Sequence, residues 1–118
     1  MLRRKIMDDL LRWKANRDSK CLLIEGARQV GKTYIIREFG RTYGHFVELN
    51  FELHPEQRRL FTGDLDSQTI VGRINETMGS GTAVPGDTLI FLDEIQSCPT
   101  ARTSLKSFAV DPDFAAIA

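Results

Sequence analysis

A chain of 118 residues has room for one domain with a single core, near the lower end of what an α/β fold needs. Sixteen Lys+Arg against sixteen Asp+Glu leave a formal net charge of zero, so no overall basic balance points to nucleic acid or an anionic membrane. The densest basic cluster, Arg3, Arg4 and Lys5, is short and runs into Asp8 and Asp9. No stretch approaches the ~20 apolar residues of a membrane span. Asp8 and Asp9 also interrupt the apolar run that a secretory signal requires, so the expected compartment is the cytoplasm. Cys21 and Cys98 stand in no CxxC or Cys/His ligand spacing and read as ordinary reduced thiols. His45 and His54 likewise have no partner at ligand spacing.

Along the chain, Leu2, Ile6, Leu10 and Trp13 form one stripe of a helix whose polar face carries both signs of charge, as expected of a helix packed on the domain. The polar run at 16–20 breaks that pattern, and "CLLIEG" from Cys21 reads as a short buried strand. From Gly31 the period turns helical, with Ile35, Ile36, Phe39 and Tyr43 on one face and Gly44 placed to close the helix in a left-handed conformation. "HFVELNF" (45–51) alternates as a second strand, and a short helical piece is expected at 55–60. Ile70, Val71, Ile74 and Met78 predict an amphipathic helix capped by Asp66 or Ser67 and ended by "GSG" at 79–81. "TLIFLDEI" (88–95) is the strongest strand signal. Leu105 and Phe108 mark a helix after Pro99, and "DPD" (111–113) turns the chain into "FAAIA". Strands alternating with helices predict a parallel α/β sheet, with 1–19 as an N-terminal helix and 20–118 as the core of a single domain.

Residues 26–33, "GARQVGKT", match G-x-x-x-x-G-K-[ST] at every fixed position. Gly26 and Gly31 let the backbone turn tightly and bring successive N–H groups within reach of phosphate oxygens, where a Cβ would intrude. Those groups and the positive end of the following helix make an anion cradle. Lys32 supplies a mobile charge for the β- and γ-phosphates, and Thr33 a hydroxyl for Mg²⁺. Ala27, Arg28, Gln29 and Val30 contribute mostly backbone, and Tyr34 completes the candidate nucleotide-binding set. An apolar strand before and a helix after are the context that the motif requires.

The second chemical feature is the acidic pair. Four apolar residues deliver Asp93 and Glu94 to the C-terminal end of a buried strand, the edge at which open α/β sheets bind ligands. There Asp93 would hold Mg²⁺, usually through water, and Glu94 would polarise the water that attacks the γ-phosphate, with Lys32 as its catalytic companion. A glutamate directly after the aspartate suits hydrolysis better than phosphoryl transfer to an acceptor, which leaves a P-loop phosphotransferase as a weaker alternative. No N-K-x-D base-reading motif of a GTPase occurs.

In this order, "IEGARQVGKTYIIREFG", "FVELNF" and "LIFLDEIQSCP" resemble the N-terminal ATPase core of prokaryotic AAA-type ATP-binding proteins related to archaeal ATPases. The resemblance covers nearly the whole chain. It implies a three-layer P-loop NTPase fold with a parallel sheet, ATP and Mg²⁺ as ligands, and the roles given above for Lys32, Thr33, Asp93 and Glu94. "HFVELNF" between the loop and the acidic strand fits the branch of these ATPases in which another strand is inserted between the two. Such proteins usually run to several hundred residues, and in them the segment matching "FAAIA" starts a central strand that ends in a polar sensor residue. A sheet bridged by residues 114–118 alone is expected to be marginal, unless self-association or a partner chain covers it. The expected activity is therefore Mg-ATP binding with a site set up for hydrolysis, and the alternative is a truncated interaction module without turnover.

Overall fold

The computed structural model describes residues 2–16, 21–22 and 31–118. Its elements follow the expected alternation: α1 (Leu2–Ala15), β1 (Cys21–Leu22), α2 (Lys32–Gly40), β2 (His45–Asn50), α3 (Ser67–Met78), β3 (Thr88–Asp93), α4 (Pro99–Ala109) and β4 (Ala115–Ile117). Two 3₁₀ turns, Pro55–Phe61 and Ile95–Ser97, fill the connections after β2 and β3.

All four strands are parallel and stand in the order β1-β4-β3-β2. Short β4 lies between β1 and β3, pairing Ala116 with Cys21 on one side and with Ile90 on the other. One more rung follows, in which the Ala118 N–H donates to the Leu22 carbonyl at 2.9 Å. The strand that separates β1 from the acidic strand is therefore β4, as the resemblance implied for "FAAIA". The strand "HFVELN" sits on the outer side of β3 instead, because its six-residue register runs with Thr88–Asp93.

Alternation along the strands divides the apolar residues between two cores. Ile90 and Leu92 of β3, with Val47 and Leu49 of β2, face α3, α4 and the 3₁₀ turn, where Ile70, Ile74, Phe61 and Phe108 are fully enclosed. Leu89 and Phe91 face the other way, onto α1 and α2, with Ile117, Leu10, Ile36 and Phe39. Helices on both faces of one sheet give the three-layer α/β/α arrangement expected for a P-loop fold. β3 reads as an unbroken apolar run because five of its six residues are buried on one face or the other.

The helix stripes hold where helices meet the sheet. Trp13 of α1 approaches Phe39 of α2 with ring centroids 6.1 Å apart, and Tyr43 meets Phe39 edge-on at 5.5 Å. Asp66 caps α3 by accepting from the Thr69 N–H at 3.0 Å. Two expectations fail. Met78, at the last position of α3, is 45% exposed, since the helix has by then run past the sheet it packs on. Gly44 does not close α2 in a left-handed conformation, because α2 ends through Arg41 in a right-handed one. Glycine is needed at 44 for close approach: its N–H donates to Asp87 Oδ1 at 2.8 Å, and a Cβ would collide with the same carboxylate.

Candidate nucleotide site

In a parallel sheet every strand ends on the same edge, so Asn50 of β2 and Asp93 of β3 come out side by side as register partners. Alpha2 begins on that edge too, since it follows β1 through the connecting loop. Gly31 heads it at φ 107°, a left-handed conformation that favours glycine, and it offers no side chain to cap the first turn. The first turn of α2 carries no acidic residue of its own, so that turn adds no negative charge to the positive end of the helix dipole. Of the expected phosphate-binding residues, Gly31, Lys32, Thr33 and Tyr34 are described, Tyr34 being 57% exposed. Gly26, Ala27, Arg28, Gln29 and Val30 lie outside the described residues.

Asp93 emerges from the buried part of β3 half-exposed. Its Oδ1 accepts from the Glu94 N–H at 2.9 Å, and its Oδ2 takes a long contact of 3.4 Å from Asn50 Nδ2. Burial is the main influence that raises its pKa above the ordinary carboxylate value. The neighbouring charges of Glu94 and Glu48 push the same way, whereas the Glu94 N–H and the Lys32 ammonium pull it back. Lys32 thus acts from the head of α2 on a carboxylate some 60 residues later in the chain.

Glu94 is the one non-glycine residue with positive φ among the described residues, at φ 54° and ψ 47°. An L-residue there costs about 1 kcal/mol, and the strain turns the chain abruptly off the strand into the 3₁₀ turn. Ile95 and Cys98 then drop into the core, and the Glu94 side chain receives Gln96 Nε2 on Oε1 at 2.6 Å. Nearby, Arg37 of α2 grips Glu48 of β2 through two bonds, Nε to Oε1 at 2.7 Å and Nη2 to Oε2 at 2.8 Å. That pairing raises the Arg37 pKa further.

Sequence reasoning missed Asn50. Besides its contact with Asp93, its Oδ1 accepts from the Glu52 and Leu53 N–H groups at 3.0 and 2.9 Å, fixing the turn after β2. Its backbone N–H donates to Gln57 Oε1 at 2.9 Å. The available signal was an amide residue ending an alternating strand, a common turn former. The donor set also fits a hard cation: a threonine hydroxyl and an aspartate carboxylate offer the oxygen ligands that Mg²⁺ takes. Among the described residues no group of three or more His, Cys, Asp or Glu is arranged to hold a metal by itself, so any cation here would depend on a second source of oxygens.

A family model described as an AAA domain matches residues 18–117, and the chain belongs to that family. It is accordingly a nucleotide-binding, ATPase-like module. No curated protein and no solved structure gives a match to this chain. Among the described residues no helix is long and apolar enough to cross a membrane.

Proposed function

We propose that this domain binds Mg-ATP through the loop at 26–33 and is organised to hydrolyse it. The observation that carries the reading is the convergence of Lys32, at the head of α2, and the Asp93–Glu94 pair, at the end of β3, on one edge of a parallel sheet. Family membership over most of the chain supports it independently.

In this reading the N–H groups of the loop and of the first turn of α2 cradle the phosphates, and Lys32 balances charge on the β- and γ-groups. Thr33 and Asp93 hold Mg²⁺, which draws charge from the phosphoryl oxygens when bound. The raised pKa of Asp93 belongs to the ligand-free site, where burial disfavours its charge and the charges of Glu94 and Glu48 add to the effect. Glu94 orients the attacking water and receives its proton. Its left-handed backbone supports that role, since strain of this kind is retained where the surrounding structure demands it.

Thermal unfolding with and without Mg-ATP tests binding. Saturating nucleotide at about 100 Kd stabilises the native state by about 2.7 kcal/mol, and Lys32→Ala abolishes the shift. An unchanged melting point in the wild type rejects nucleotide binding by this loop. Phosphate release tests turnover: Glu94→Gln keeps the melting shift and loses hydrolysis by at least 100-fold, roughly. Wild-type release equal to the buffer blank, alongside a normal shift, would make the domain a binder without turnover.

A further inference from the structure

The 3₁₀ turn Ile95–Ser97 follows Glu94 directly, and its geometry decides what surrounds that carboxylate. Left-handed backbone at Glu94 reverses the chain, and the Ser97 N–H closes onto the Glu94 carbonyl at 3.0 Å. Ile95 and Cys98, both buried, pin the turn to the core, and the Cys98 N–H closes onto the Ile95 carbonyl at 2.9 Å. This tight turn brings the side chains of residues 94 and 96 together on the outer side, two positions apart, where an extended strand would only align them. The result is the 2.6 Å bond from Gln96 Nε2 to Glu94 Oε1.

A glutamate has three rotatable bonds, and a carboxylate that must face one water gains by losing that freedom before the substrate arrives. The Gln96 amide supplies such a restraint at short range, as expected for a donor facing an ionised acceptor. Being neutral, it holds the carboxylate without cancelling its charge, which a lysine or arginine at 96 would do. Both backbones are already fixed by the turn, so the bond needs little additional ordering. We propose that Gln96 is a positioning residue for Glu94, holding its carboxylate in the orientation from which it works on the attacking water. This inference rests on the assignment of Glu94 as the residue that activates water.

Two measurements on the full chain test it. In ligand-free protein labelled with ¹⁵N, the Gln96 side-chain amide resonances are displaced from solvent-exposed values and return to them in Glu94→Ala. Resonances that do not respond to Glu94→Ala overturn the proposal without reference to activity. In steady-state ATPase assays, Gln96→Ala lowers kcat about tenfold with KM for Mg-ATP unchanged. Gln96→Glu, which sets a like charge and an acceptor against Oε1, lowers it further. The melting point and its Mg-ATP shift stay at wild-type values in both variants. A kcat within twofold of wild type in both, or a loss that follows a lowered melting point, overturns the positioning role. Should Glu94→Gln itself retain wild-type turnover, or the wild type show none, the fault lies in the assignment of Glu94, and the proposal falls with it.

Discussion

Two aspartates at opposite edges of the sheet show what a carboxylate means in this fold. Asp111, just before β4 at the edge where the strands begin, is 4% exposed and receives four donors. Ser67 Oγ and Gln68 Nε2 (3.0 Å) reach it from the start of α3, while the Asp113 and Phe114 N–H groups, at 2.7 and 3.3 Å, close the turn into β4. Asp93, where the strands end, has two donors among the described residues, one of them long, and two acids close enough to repel it. A carboxylate has about four acceptor positions. Asp111 fills them from its own chain and is a structural joint between α3, α4 and β4. Among the described residues Asp93 has acceptor capacity left over, in surroundings that disfavour its charge, which suits the cation-holding role proposed for it.

The largest effect should come from breaking the joint. Asp111→Ala leaves several buried donors without an acceptor and lowers unfolding stability by about 3 kcal/mol in denaturant titrations. A cost below about 1 kcal/mol would remove the contrast between the two sites. Asn50→Ala takes the side-chain donor from Asp93 and the acceptor from two turn N–H groups, and costs about 1 kcal/mol by the same measurement. The smallest change carries the opposite sign. Asp93→Asn removes a charge that the ligand-free fold disfavours, so its melting point at neutral pH lies slightly above wild type. The pKa of Asp93 is raised in the folded state. Its stabilising contribution is therefore complete below the unfolded-state pKa and fades as pH rises through the folded value. The two proteins should thus melt alike in acid and diverge towards neutrality, with the variant losing the Mg-ATP shift. A variant less stable than wild type at pH 7 would mean that Asp93 is as well satisfied as Asp111.

The same contrast explains what the sequence could and could not reveal. Lys32, Thr33, Asp93 and Glu94 could be proposed as site residues because short spacings single them out, and the strand that carries the acidic pair was legible from the apolar run of β3, whose burial on both faces leaves an unmistakable pattern. Asp66 was legible as a helix cap for the same local reason. Asp111 read only as part of a turn, since its partners Ser67 and Gln68 lie more than 40 residues upstream and no local pattern records them. Asn50 was hidden similarly, its partner Asp93 being 43 positions away. Gly44 misled because glycine after a helix ordinarily signals a left-handed cap, whereas here the requirement comes from the Asp87 carboxylate across the fold. The place of β4 between β1 and β3 followed from family resemblance, because three small apolar residues carry little pattern of their own.

That placement has a kinetic consequence. Among the described residues β1, which precedes the proposed phosphate loop, joins the sheet through β4, with Leu22 opposite Ile117 about 95 residues away in sequence. Closing so long a loop is entropically late, whereas β2 and β3 can zip along six consecutive rungs much sooner. The strand that precedes the proposed cradle is therefore expected to dock last during refolding. Recovery of nucleotide binding should trail recovery of secondary structure, making the ligand a reporter of the final step of folding.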